Sequence, residues 1–141
     1  ARGCIVGLTR GTRREHIIRA AQESIAYQVN DLLAAMARDT GMPLGTLSVA
    51  GGASRDSFLM QFQADISHCI IRRPVIRETT ALGACYLAGL ATGVWKNRDE
   101  LKQLWRCDTY YEPKMADDDR SRLLAGWDKA VGRSLDWADH S

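Results

Sequence analysis

The sequence predicts an α/β fold, with a small sheet inside a helix-rich envelope. Two observations carry that expectation. Apolar residues recur at three- and four-residue steps over long stretches, as on one face of a helix, from Ile18 to Met36 above all. Short strand-like runs bounded by turn residues, Thr46–Ala50 and Cys69–Arg72, alternate with those stretches.

Taken in order, Cys4–Leu8 reads as a short strand, followed by punctuation at Gly11. Thr12 and Glu15 form a T-x-x-E capping box, which satisfies backbone donors at a helix start. Ile18, Ala21, Ile25, Val29, Leu32 and Met36 then line one face of a helix to about Arg38, with Ile25, Val29 and Leu32 expected in the core. Gly41 and Pro43 end it. After the strand Thr46–Ala50, Ser54 or Asp56 caps a second helix that buries Phe58, Leu59, Phe62 and Ile66. Pro74 closes the strand Cys69–Arg72.

Thr80 opens a helix rich in Ala and Gly, suited to close approach of a neighbouring backbone. Asn97 caps a fourth helix, with Glu100 three residues on and Leu101, Leu104 and Trp105 facing inward. RCDTYYEP is strand-like or irregular. A last helix runs from about Ala116 to Trp137, its acidic first turn Asp117–Asp119 matched to the helix dipole. Five helices against three short strands is too helical for a doubly wound sheet of this size. That imbalance, and a start at Ala1 rather than Met, lead us to expect a piece of a larger α/β protein.

Composition excludes several classes. The 141 residues fit one domain, with 45% apolar and 26% charged residues. A net charge of +2 gives no reason to expect nucleic acid or an anionic membrane as partner. No run is long and apolar enough for a membrane span, and no signal peptide is legible. Cys4, Cys69, Cys85 and Cys107 form no CxxC pair and read as buried, reduced thiols in a cytoplasmic protein. His16, His68 and His140 lie apart, so no metal cluster is expected. Arg72, Arg73 and Arg77 read as a solvated face, as does the acidic run Asp117–Asp119.

The chemistry concentrates at LSVAGGASRDSF, a strand, a Gly-Gly corner and a helix. Gly51 and Gly52 allow positive φ and close approach of a ligand to backbone, and serve a tight turn equally well. Neither G-x-x-x-x-G-K-[ST] nor G-x-G-x-x-G occurs. Asp56 is either an N-cap or an acceptor facing a ligand over Gly52. No G-x-S-x-G or paired nucleophile is present.

Four ordered motifs, GLTRGT (7–12), HIIRAAQESIAYQ (16–28), GGASRDSFLMQFQADI (51–66) and ETTALGACYLAGLATGVW (78–95), resemble the glycerol kinases. These belong to the sugar and polyol kinases that include xylulokinase and gluconokinase. The resemblance implies the C-terminal portion of the second actin-like, ribonuclease H-like domain. It also implies ATP in an interdomain cleft with Mg²⁺ on its phosphates. Glycerol and the catalytic carboxylate would belong to a domain outside this chain, leaving no catalytic residue and no metal ligand within it. Gly51 and Gly52 would contact the nucleotide, and Asp56 its adenine side. The family pattern has Asp where Ala50 stands and Asn where Asp56 stands. Asn both donates and accepts, whereas an ionised Asp only accepts. Alternatives are a non-catalytic nucleotide-binding or interaction module, or a kinase for another polyol or sugar; a homo-oligomeric full-length protein fits any of these.

Overall fold

The computed structural model describes residues 3–76, 78–104 and 106–135. In chain order the elements are α1 (Arg14–Thr40), β1 (Thr46–Ser48), a 3-10 turn (Gly52–Arg55), α2 (Ser57–Ser67), β2 (Ile70–Pro74), α3 (Thr79–Ala91), α4 (Arg98–Leu104), β3 (Cys107–Tyr111) and α5 (Asp117–Ser134). The strands form one sheet in the order β1-β2-β3. β1 and β2 are parallel, with Leu47 opposite Ile71, and α2 supplies the crossover that parallel strands require. β3 is antiparallel to β2, with Ile71 opposite Tyr111 and an irregularity at Arg73 and Pro74, where proline has no N–H to give the ladder.

The core lies where α2 meets α1 and β2. Leu59, Met60, Phe62, Ala64 and Ile66 of α2 are buried with Ala26 and Tyr27 of α1, Cys69, Ile71 of β2 and Tyr111 of β3. Polar ties dock the surrounding segments. The buried Asp65 accepts from the backbone N–H of Lys114 (2.7 Å) and Met115 (3.3 Å), pinning the approach to α5. Arg120 donates to the Ile66 carbonyl at 2.8 Å, near the end of α2. Trp127 donates to Asp31 at 2.7 Å and stacks on Tyr27, which joins α5 to α1.

The structure corrects the expected orientation of α1. Ile25 is 46% and Leu32 61% exposed, and Ile18 and Met36 are exposed with them, while Val29 is half-buried. The helix rests on α2 through Ala26 and Tyr27, a neighbouring face whose small residue allows close approach and whose ring packs edge-on against Phe62. Its start also differs. Thr12 accepts from the Thr9 N–H (2.9 Å) instead of capping the helix; Arg13 holds the N-cap position, and His16 Nδ1 accepts its N–H at 3.2 Å. Gly41 ends α1 as expected, at φ 68°.

Cys4–Leu8 is not a strand, because among the described residues no strand lies beside it to complete a ladder. The third strand is Cys107–Tyr111 instead. Asn97 caps α4, accepting from the N–H groups of Asp99 and Glu100, but Leu104 is exposed and Leu101 half-buried. Trp105 lies outside the described residues, as do Arg77, His140 and the expected last turn of α5 at Trp137. Cys69 is buried, which pushes its thiol pKa up, whereas Cys4 and Cys85 are exposed and Cys107 is half-buried. Of the two glycines of α3, Gly83 is open, whereas a Cβ at Gly89 would collide with the Trp95 ring, which folds back over the helix end.

Candidate functional site

β1 leads directly into the glycine corner. The Val49 N–H donates to the Arg72 carbonyl at 3.0 Å, carrying the pairing one residue past β1. Gly51 then adopts φ 82°, a conformation that a side chain would strain. The buried Ser54 closes the corner, its hydroxyl donating to the Gly51 carbonyl at 2.7 Å. A Cβ built on Gly51 or Gly52 meets nothing within 4 Å. Backbone conformation therefore explains glycine at 51, while no contact among the described residues explains it at 52. The same openness holds at Gly83 and Gly126, so Gly52 is distinguished by its place beyond the carboxyl end of a parallel strand. Ligands of open α/β sheets bind at such ends.

Asp56 is the N-cap of α2. Its Oδ1 accepts from the N–H groups of Phe58 (2.9 Å) and Leu59 (3.2 Å). Its Oδ2 accepts from Gln22 Nε2 of α1 at 2.5 Å. Both carboxylate oxygens thus serve the fold.

Behind the turn lies Arg73, which the structure buries rather than leaving on a solvated face (9% exposed). Its guanidinium pairs with Asp108 of β3 (3.1 Å) and donates to Thr109 Oγ1 (2.9 Å). Nη1 donates to the Ser54 carbonyl and to Ser57 Oγ, each at 3.4 Å. The Tyr111 hydroxyl shares a hydrogen bond with the same Ser57 hydroxyl at 3.1 Å. The roles of Arg73 and Gln22 were not apparent from the sequence. A signal existed for Arg73, which shares the parity of the buried Ile71 along β2 and so points to the same side of the sheet.

The glycine corner lines neither of two concavities formed by the described residues. A groove of about 570 Å³ runs between the segment at Cys4–Val6, α1 and α5, over Ile17, Tyr27 and Trp127. A smaller hollow of about 100 Å³ lies between Pro74, Leu82, Tyr86 and Leu104. Among the described residues no three His, Cys, Asp or Glu side chains gather as a metal site. No described helix is long and apolar enough to cross a membrane.

The fold defines a class. The C-terminal domain of the FGGY family of carbohydrate kinases matches residues 1–92, and the chain belongs to that family. Within it, the similarity is strong to glycerol kinases: the one from Desulforamulus reducens is 57% identical over 138 residues, covering 98% of this chain. The chain spans 28% of the length of the curated relatives it matches. Among solved structures, Plasmodium falciparum glycerol kinase with ADP superposes over 98% of this chain and 28% of its own, with a TM-score of 0.85 and 38% identity. The ligand-bound xylulose kinase from Lactobacillus acidophilus covers 95% of this chain and 28% of its own, with a TM-score of 0.73 and 26% identity.

Proposed function

We propose that these residues form the nucleotide-side, C-terminal part of an ATP-dependent glycerol kinase, which transfers the γ-phosphoryl group of ATP to glycerol. The observation that carries the choice within the family is the greater likeness to glycerol kinase than to xylulose kinase, 38% against 26% identity among solved structures. The fold is read as the later portion of a ribonuclease H-like, actin-like domain, with the glycerol-binding domain contributed by other sequence. The four free cysteines fit a cytoplasmic enzyme.

Gly51 and Gly52 present bare backbone on which a nucleotide can lie, and the openness around them supports that role. Asp56 holds the corner between α1 and α2, so its influence on the adenine side is exerted mainly through the shape of the turn. ATP supplies the phosphoryl group, and the Mg²⁺ that accompanies it is assigned to ligands beyond the described residues. Phosphoryl transfer depends on positioning and charge neutralisation from both sides of a cleft. A coupled assay of ADP release tests the reading. With ATP, Mg²⁺ and glycerol, the full-length kinase should turn over, with D-xylulose and gluconate as poor substitutes, and these 141 residues alone should give no ADP. Turnover by the 141 residues alone, or a preference for xylulose, would reject it.

A further inference from the structure

The structure places a buried cation directly behind the glycine corner, and we propose that Arg73 is a positioning residue for nucleotide binding. The inference rests on reading Gly51 and Gly52 as the nucleotide cradle. Arg73 does not face that surface; it acts through Ser54 and Ser57. One end of its planar fork is fixed to β3, by Asp108 at 3.1 Å and Thr109 at 2.9 Å. The other end donates to the Ser54 carbonyl and the Ser57 hydroxyl, at 3.4 Å each. The Ser54 hydroxyl in turn donates to the Gly51 carbonyl at 2.7 Å, so β3 is linked to the first glycine by hydrogen bonds on either side of the Ser54 residue.

This tie joins the contacts of Asp56 and Val49 in holding the corner, and among the described residues it alone links the turn to β3 through Ser54. Side chains at Gly51 and Gly52 are absent, and among the described residues, their chain neighbours apart, no atom lies within 4 Å of where their Cβ atoms would be. Ser54 is the one fully buried side chain of the 3-10 turn, and its carbonyl is where the sheet takes hold. Arginine suits the task because its five donors lie in a rigid plane and its charge persists when buried. Lysine offers a point charge that can satisfy Asp108 but cannot span to Ser54 and Thr109 together. A loosened corner would present its backbone over a spread of positions, and ATP would bear the cost of ordering it.

The test is steady-state kinetics of the full-length kinase, varying ATP at saturating glycerol and the reverse. Gly52→Val, whose side chain has open space within this chain, reports on the cradle itself. Gly52→Val and Arg73→Met should each raise KM for ATP by about tenfold or more, with KM for glycerol within about twofold of wild type. Arg73→Lys should fall between wild type and Arg73→Met. A merely structural role would lower the active fraction, and hence apparent kcat, and leave KM for ATP unmoved. If Gly52→Val raises KM for ATP while both Arg73 variants keep the wild-type value, the positioning role is overturned and the cradle stands. If Gly52→Val leaves KM for ATP unchanged, the cradle reading fails and Arg73 loses its role with it. Should Arg73→Met not fold, Asp108→Asn probes the same tie from the partly exposed end of the pair: a raised KM for ATP supports the role, and an unchanged one rejects it.

Discussion

Asp56 accepts three hydrogen bonds, two from the first turn of α2 and one from Gln22 of α1. Replacing it with Asn keeps a capping oxygen, and Gln22 can rotate its amide to offer a carbonyl to the new NH₂ group. Asp56→Asn should therefore stay within about 0.5 kcal/mol of wild type in chemical denaturation, whereas Asp56→Ala, which loses cap and tie together, should cost about 1–2 kcal/mol. A second residue-scale consequence concerns Tyr27, whose hydroxyl pKa is pushed up to about 12 by burial and by the nearby Glu23 carboxylate. The folded state thus favours the protonated phenol. That contribution is complete below about pH 10, the ordinary tyrosine value, and is lost as pH rises toward about 12. Unfolding followed from about pH 9 to about pH 12 should show stability falling across the upper part of that window, less steeply in Tyr27→Phe. The corner itself was legible in the sequence, because glycine pairs and capping residues act on their immediate neighbours. Its supports were not: Gln22 lies 34 positions from Asp56 and Asp108 lies 35 from Arg73, distances that only the tertiary fold closes.

At the scale of elements, sequence pattern located α1 and its stop at Gly41, but missed its N-cap and oriented it wrongly. Periodicity finds an apolar stripe, and α1 has one in Ile18, Ile25, Leu32 and Met36. It does not say which partner meets that stripe. α1 meets α2 through Ala26 and Tyr27, because a methyl-sized residue lets the two helices approach and a ring beside it fills the groove. The energetic consequence is specific. Leu32→Ala, expected from the sequence to cost roughly 2–5 kcal/mol, should change the stability of this chain by no more than about 0.5 kcal/mol. Ile66→Ala should cost about 2–5 kcal/mol, since Ile66 is fully buried, and Ala26→Leu about 1–3 kcal/mol by overpacking the helix contact. Denaturation midpoints of the three variants, ranked against wild type, check the orientation. For α2 the pattern places Leu59, Phe62 and Ile66 correctly in the core, because nearly every side of the helix is buried, while Phe58 in its first turn is half-buried. Cys4–Leu8 was misread because a strand is defined by a neighbour, and the pattern of one segment carries no information about the other.

At the scale of the whole molecule, the α1 stripe is part of a larger exposed apolar surface. The chain's accessible surface is 10424 Å², whereas a compact monomer of 15.7 kDa exposes about 7,300 Å². The surplus of about 3,000 Å² exceeds the roughly 800 Å² that one partner contributes to a standard interface. Exposed apolar side chains supply part of it: Ile5, Val6 and Leu8 beside the groove, Ile18, Ile25, Leu32 and Met36 along α1, and Leu87 on α3. The proposed kinase accounts for this surface, since the curated relatives are more than three times as long as the matched stretch. The chain alone should accordingly bind the dye ANS and gain apparent mass with concentration in sedimentation velocity. The decisive comparison is Leu32→Asp in two contexts. In the 141 residues alone the substitution falls on an exposed position, so stability should hold within about 0.5 kcal/mol while dye binding drops. If the remainder of the proposed kinase covers the stripe, the same carboxylate would be buried there without a partner and should cost about 2 kcal/mol or more. Equal, small effects in both contexts would mean that the stripe faces solvent in the whole enzyme too, and that the surplus surface has another cause.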